Sequence, residues 1–205
     1  MPIEVVSVVA GDVVSLEEVK QYVQVPTAED NSLLQTLVRS SVLETQRLTG
    51  RKLLTTTCNL WLAQFPNNNE PISIPFPPLL TIVEITYIDS DGITQTLASA
   101  DFFADPKSSP GRVLLTDSAA WPGTQKVGIA GHPHPVKVKF TCGYGTQSNQ
   151  IPDDFRTIVK SITKLIFDNP NPVENSGSQP AIVPLHTMAL IDGNRDQTEY
   201  PAGTW

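Results

Sequence analysis

Two segments with helical periodicity flank a long segment with the pattern of β-strands, and this arrangement most constrains the fold of the 205-residue chain. Apolar residues recur every three or four positions from Leu33 to Leu48, and Gly50 follows as a helix terminator. A second apolar stripe runs from Phe155 to Ile166. Because an amphipathic helix must bury its stripe against another element, we expect these two helices to pack together, with the β-segment as an insertion.

Local signals place the remaining helix boundaries. Ser15 and Glu18 have the spacing of a capping box and predict a short first helix. Pro152 suits the first position of the last helix, where no amide is needed. Asp153 and Asp154 would then face the positive end of that helix.

Residues 53–145 are predicted to form an antiparallel β-domain of roughly six short strands. Threonines alternate with bulky apolar residues over residues 55–62, and Asp89-Ser90-Asp91-Gly92 predicts a hairpin turn. The chain does not alternate strands with helices, which argues against a doubly wound parallel sheet.

The predicted fold class is therefore α+β: a small helical bundle of two N-terminal helices and one C-terminal helix, interrupted by an antiparallel β-domain and followed by an extended C-terminal tail. A β-branched run at residues 3–10 is an added strand or an ordered arm. The proline- and glycine-rich tail is expected to order on a partner. The predicted parts are the N-terminal arm and helices at 1–52, the β-insertion at 53–145, the completing helix at 146–169 and the tail at 170–205.

Charge and cysteine content exclude several classes of protein. A formal net charge of −7 argues against a protein that grips nucleic-acid phosphates, although DNA can slide past a like-charged surface. Cys58 and Cys142 lack metal-ligand spacing and favour buried thiols in a reducing compartment over a disulfide. No apolar stretch approaches membrane-spanning length and no signal peptide is recognisable, so we expect synthesis in a cytoplasm and no membrane association.

No motif for catalysis or metal binding stands out. His132 and His134 lie in a proline-rich loop without a carboxylate at ligand spacing, and Asp89 and Asp91 lack the later ligands of a calcium loop. Nucleophile-elbow, phosphate-loop and zinc-protease motifs are absent. We therefore expect no enzyme, no metal and no cofactor. Without a basic patch, the aromatic residues of the β-domain are better explained as core than as a base-stacking surface.

Three groups of residues, in this order and spacing, resemble the tailed-phage head–tail connector (adaptor) proteins, a family that includes gene-transfer-agent adaptors. The first group pairs the opening from Ser15 to Lys20 with a long helix that ends Leu48-Thr49-Gly50-Arg51. The second is the Asp89-Ser90-Asp91-Gly92 turn followed by Asp101-Phe102. The third is Phe140-Thr141-Cys142-Gly143-Tyr144-Gly145 followed by Ile151-Pro152-Asp153-Asp154-Phe155-Arg156.

The resemblance implies a structural protein of the virion neck, made in the bacterial host cytoplasm. Such adaptors form a ring, here expected to have twelve copies, beneath the portal protein. The ring extends the DNA channel, through which DNA passes without specific binding, and offers a platform to a stopper or tail-completion protein. The implied partners are therefore the portal protein, the stopper or tail-completion protein, and further copies of the chain.

The resemblance also suggests which residues make the contacts. Inter-subunit packing is assigned to charges at the helix ends, with ordinary solvated charges as the alternative. Beyond Leu190 the chain lacks the arginine-rich closing run common in the family. The predicted portal-docking residues are Ile182, Val183, Leu185, Met188, Leu190 and Trp205, and the predicted inter-subunit residues are Arg47, Arg51, Asp153, Asp154 and Arg156.

Three alternatives remain from the sequence. A stopper or tail-completion protein would act one ring further down the same neck, but the N-terminal helix pair favours the adaptor. A receptor- or carbohydrate-binding β-module of the tail would need an exposed aromatic groove. A hydrolase would need histidines and carboxylates that converge in a pocket.

Overall fold

A computed structural model describes residues 1–24, 31–123, 133–169 and 183–196. Its contacts divide the chain into two compact units. The β-unit contains Met1–Val9 and Thr55–Gly143, and the helical unit contains Ala10–Leu54 and Tyr144–Arg195. The fold is α+β, as the sequence predicts.

Among the described residues, the helical unit has three helices that the sequence predicted and one that it did not. Ser15 and Glu18 form the predicted capping box, and the Gly50 amide donates to the Gln46 carbonyl at 2.9 Å with Gly50 at φ 69°. The positive φ explains why glycine stands at the end of the second helix. The helices are α1 Leu16–Val23, α2 Asn31–Thr49, α3 Asp153–Asp168 and α4 Leu185–Asn194.

The core of the helical unit lies where α1, α2 and α3 meet. Val19, Leu34 and Phe155 are fully buried there. Ser41 and Thr45 of α2 are also fully buried, so the remainder of the buried face of α2 carries small polar residues. Their hydroxyls donate to carbonyls four residues earlier at 2.8 and 2.7 Å, so burial leaves no hydroxyl donor unpaired.

Helix α4 corrects the expectation of an extended tail over residues 170–205. Thr187 and Ile191, four positions apart, are buried on its inner face, and α4 contacts α2 and α3. The helix escaped detection because its apolar residues do not form a single stripe, and because Pro184 indicated a loop while in fact it precedes the first helical residue. The remainder of the predicted tail, residues 170–182 and 197–205, lies outside the described residues.

The described part of the β-unit contains two antiparallel sheets. The five-stranded sheet has the order β1-β2-β8-β4-β5, and the three-stranded sheet has the order β3-β7-β6. The predicted hairpin is confirmed, since β4 pairs with β5 across the Asp89–Gly92 turn. The strands are β1 Ile3–Val8, β2 Thr56–Leu62, β3 Ile72–Ile74, β4 Leu79–Ile88, β5 Thr94–Thr96, β6 Phe102–Asp105, β7 Gly111–Leu115 and β8 Val136–Cys142.

The boundaries between the units differ from the predicted ones. Strand β1 pairs with β2, so the N-terminal arm belongs to the β-unit and not with the helices of residues 1–52. At the other boundary, Leu53 is fully buried in the helical core and its carbonyl accepts from the Tyr144 amide at 3.1 Å. The insertion is therefore Thr55–Gly143. Sequence periodicity identified these strands but could not identify their partners.

The core of the β-unit follows the alternation of its two central strands. Leu60 of β2 and Val138 of β8 lie opposite each other and are fully buried. Cys58 and Cys142 are also fully buried, with the Cys142 thiol 3.6 Å from the Thr56 carbonyl and no disulfide between the two cysteines. The expectation of buried thiols is confirmed.

Replacement of Gly11 with alanine should destabilise the helical unit. A Cβ at Gly11 would lie 2.1 Å from the Thr146 carbonyl oxygen, which is a backbone atom and cannot rotate away. We expect Gly11→Ala to lower the free energy of unfolding by about 1–3 kcal/mol in urea titrations. In Gly193→Ala, the matched control in α4, the added Cβ would meet nothing within 4 Å, and stability should be unchanged or slightly higher. Equal losses in both variants would contradict this close approach.

Candidate interaction surfaces

A charged cluster joins α1 to α3 in the helical unit. The Glu18 carboxylate accepts from the Ser15 amide at 3.1 Å and forms an ion pair with the Arg156 guanidinium. Arg156 also contacts Asp153 at 2.7 Å, one turn earlier on α3. The Glu18 carboxylate thus both caps the start of α1 and forms the ion pair that joins α1 to α3.

The surroundings of Glu18 favour its charged form. Burial by itself would raise the pKa of Glu18, but the hydrogen bonds from the Ser15 amide and hydroxyl and the positive charges of Arg156 and Lys160 together outweigh it. The pKa of Glu18 therefore lies below its ordinary value of 4.5. A carboxyl group with a lowered pKa in an ion pair acts as a structural anion at neutral pH and is poorly suited to donate a proton.

A second polar cluster lies where α4 meets the end of α2. Arg51 Nε donates to the Asn194 carbonyl at 2.7 Å, and Arg195 Nε donates to the Leu48 carbonyl at 3.2 Å. The side-chain amide of Asn194 donates to the Asp154 carboxylate at 3.3 Å. These contacts satisfy carbonyls at the ends of two helices and hold α4 in place.

The five predicted inter-subunit residues therefore differ in their availability. Arg51, Asp154 and Arg156 have partners within the helical unit, with the Arg156 side chain only 19% exposed. Arg47 and Asp153 have side chains that are 68% and 89% exposed, and Arg47 pairs with Glu44 at 2.6 Å on the same helix. The sequence could not show that Glu18 lies beside Arg156, because the two are far apart along the chain.

The four described portal-docking candidates lie on or next to α4 and fall into two groups. Leu185 is 84% exposed and Met188 is 45% exposed, and their spacing of three residues places them on neighbouring positions of one helix face. Val183 and Leu190 instead pack against the helical core. Ile182 and Trp205 lie outside the described residues. Helix α4 thus has an anchored side and an exposed apolar side.

The aromatic residues of the β-unit mostly contribute to its core. Phe65, Phe76 and Phe140 are buried. Phe65 stacks on Trp121 with ring centroids 4.9 Å apart, and the Trp121 indole donates to the Glu70 carbonyl at 3.1 Å. Phe103 on β6 is half exposed. This distribution favours the core interpretation over an aromatic binding groove.

The described part of the chain holds no group of three or more histidines, cysteines or carboxylates placed to bind a metal. Asp89 is engaged in its turn, where its carboxylate accepts from the Asp91 and Ile93 amides. His134 is half-buried, and His132 lies outside the described residues. In the part of the chain that the structure describes, no helix is long and apolar enough to cross a membrane.

The helical unit contains a shallow groove. It has a volume of about 160 Å³ and is lined by α1, α2 and the segment before α1, with Asp12 and Arg39 as its charged residues. Small-molecule sites usually occupy roughly 300–1,000 Å³. The groove is therefore small for a substrate pocket.

Comparison with solved structures identifies the same fold elsewhere, whereas no protein-family model and no curated protein sequence matches the chain. A chain from the neck of an empty gene transfer agent (GTA) particle, computed with C6 symmetry, matches with a TM-score of 0.75 at 18% identity, covering 100% of both chains. A chain from the neck of a native GTA particle, computed with C12 symmetry, gives 0.73 at 19% identity with the same coverage. A chain from the virion of a native GTA particle gives 0.73 at 18% identity over 98% of both chains. The likeness extends over both units.

Loss of the Arg156 guanidinium should loosen α1 from α3. We expect Arg156→Met, which keeps the length of the side chain, to lower the free energy of unfolding by about 1–2 kcal/mol near neutral pH. The matched control is Arg47→Met, which removes an exposed pair on a single helix and should leave chemical denaturation unchanged within error.

The loss in Arg156→Met should also depend on pH. Because the folded pKa of Glu18 is lowered, its stabilising contribution is present above the ordinary value of 4.5 and is lost as the pH falls below it. The difference between wild type and variant should therefore shrink in acid. A difference that stayed constant from pH 7 to pH 3 would mean that Arg156 stabilises the unit through packing and not through Glu18.

Proposed function

We propose that this chain is a structural protein of the neck of a phage-like particle and serves as its head–tail adaptor. The observation that carries the proposal is the match of the whole chain to chains from GTA necks, with 100% coverage of both partners and TM-scores of 0.75 and 0.73. A match in both units supports the assignment better than a match of the helices or the sheets alone, because bundles and small sheets recur in unrelated proteins.

The proposed role is assembly, without catalysis. Twelve copies of the chain form a ring under a portal protein and around the DNA channel. The necks to which the chain is similar were computed with C6 and C12 symmetry, which supports a ring. The net charge of −7 suits a wall past which DNA moves, since like charges repel.

The proposed portal contact uses the exposed side of α4 and the adjoining segments. Leu185 and Met188 are large apolar residues that point away from a helix held firmly by Arg51, Arg195 and the burial of Ile191. Exposed apolar side chains on an anchored helix are typical of a surface that meets a partner. The same ring would offer its opposite side to a stopper or tail-completion protein.

Electron microscopy of the purified chain mixed with its cognate portal tests this function. We expect a ring stacked coaxially on the portal. Leu185→Asp combined with Met188→Asp should abolish the stack or weaken it by at least about tenfold, since two apolar contacts would become buried charges. Leu43→Asp is the matched control, because Leu43 is 66% exposed on α2 and its replacement tests for general effects of an added charge. Truncation after Asn169 is less informative, as it also removes Ile191 from the core.

Other outcomes would assign a different function. A chain that ignores the portal but binds a preformed adaptor ring or tail components would be a stopper or tail-completion protein. Binding to glycans by the isolated chain would indicate a receptor-binding module. Equal losses in the α4 variant and the Leu43→Asp control would contradict the proposed docking surface.

A further inference from the structure

The five-stranded sheet ends on one side in a strand with an open edge. Strand β1 is the outermost strand, and β2 is its only partner among the described residues. Four valines on or next to it, Val5, Val6, Val8 and Val9, are between 41% and 55% exposed. Soluble proteins usually protect such an edge with charges, prolines or a covering segment, because its unpaired amides and carbonyls invite another strand. This edge, called here the β1 edge (Ile3–Val8), has one charged residue, Glu4, and a register shift between Val5 and Ser7, and most of its other side chains are apolar.

The same sheet has a second open edge on β4. Strand β5 pairs with β4 at Thr86–Ile88, and the Leu97 amide extends the contact to the Ile85 carbonyl. Residues 79–84 of β4 pair with β8 on one side. On the other side, where β5 pairs with Thr86–Ile88, no strand of the described chain pairs with residues 79–84, called here the β4 edge. Leu80 and Val83 in this edge are 45% and 50% exposed. Both lie at register shifts of the β4–β8 pairing.

The directions of the strands make the two edges compatible. The pairs β1–β2, β2–β8 and β8–β4 are all antiparallel, so β1 and β4 run in opposite directions. If a second copy is placed beside the first with its sheet in the same orientation, its β4 edge meets the β1 edge in antiparallel alignment. Each edge is six residues long, so the two match in length, and each also contains a register shift, between Val5 and Ser7 in β1 and at Leu80 and Val83 in β4.

The backbone of β1 also has groups that can bond outward. The Val9 amide donates to the Thr55 carbonyl, and the Pro2 carbonyl accepts from the Trp61 amide. In an antiparallel pair, successive residues turn their backbone groups alternately toward and away from the partner. Val8, which precedes Val9, therefore directs its amide and carbonyl away from β2 and toward the open edge.

From these observations we propose that a second copy of this chain occupies both edges. The β1 edge of one copy adds to the β4 edge of the next, and the sheet continues from copy to copy. The valines of β1 would meet Leu80 and Val83, and backbone hydrogen bonds would complete both edges. Because two different edges meet, the contact is heterologous and can close into a ring, which is the part of the inference that rests on the proposed function.

Variants that block one edge at a time test this arrangement. Val5→Lys with Val8→Lys blocks the β1 edge, and Leu80→Lys with Val83→Lys blocks the β4 edge. All four side chains are exposed, so the fold should be retained, which near-ultraviolet circular dichroism would check. Sedimentation of the full chain, alone and with its portal, should show self-association that either double variant weakens at least about tenfold. Ile93→Lys, in the β4–β5 turn and 57% exposed, is the matched control and should assemble like wild type.

Mixing the two blocked variants gives the sharpest result. Each retains one intact edge, so the mixture should form one-to-one dimers and nothing larger. A two-fold β1–β1 contact predicts instead that the β4-blocked variant dimerises alone and that mixing adds nothing, which would overturn the proposal. Assembly of both blocked variants like wild type, or a wild-type chain that is monomeric both alone and on the portal, would also overturn it.

The same measurements separate this inference from the proposed function. If the blocked variants still form a complete ring on the portal, this would contradict the sheet contact and leave the adaptor role intact. A wild-type chain that forms head-to-tail oligomers but ignores the portal would support the sheet contact and contradict the adaptor role.

Discussion

The contact between α2 and α3 is the interaction on which the architecture depends, because these two helices precede and follow the inserted β-unit along the chain. Leu34 and Phe155 are fully buried in this core, and Thr163 on α3 bonds to Ser41 on α2 at 3.0 Å. The same contact brings the ends of the insertion together, where Leu54 forms a β-bridge with Gly145. Strands β2 and β8 can therefore begin and end side by side and form the centre of the larger sheet.

Sequence reasoning succeeded where the signal was local. The Ser15–Glu18 capping box, the Gly50 terminator and the Asp89–Gly92 turn each depend on residues within a few positions, and all three are present in the structure. It failed where the deciding partner was distant. Helix α4 gains its inner face from α2 and α3, and its own pattern did not identify it. The β-branched pattern of β1 did indicate a strand or an arm, but it could not show that this strand pairs with β2.

The candidate site residues show the same limit. Exposure of Leu185 beside burial of Thr187 depends on which side of α4 meets the core, and a helix whose apolar residues form no single stripe gives no indication of that side. Arg156 was recognisable as a helix-end charge, but its pairing with Glu18 required the fold. The likeness to GTA neck chains shows that both units occur together in one chain elsewhere, which residue patterns alone could not show.

The order of segments along the chain has a consequence for synthesis on the ribosome. Helices α1 and α2 emerge before the insertion, but the core around their residues Val19 and Leu34 is completed by α3, which emerges only after the whole insertion. Every strand of the β-unit has left the ribosome by then, so the helical unit is the last to close. The apolar faces of α1 and α2 must meanwhile avoid other nascent chains.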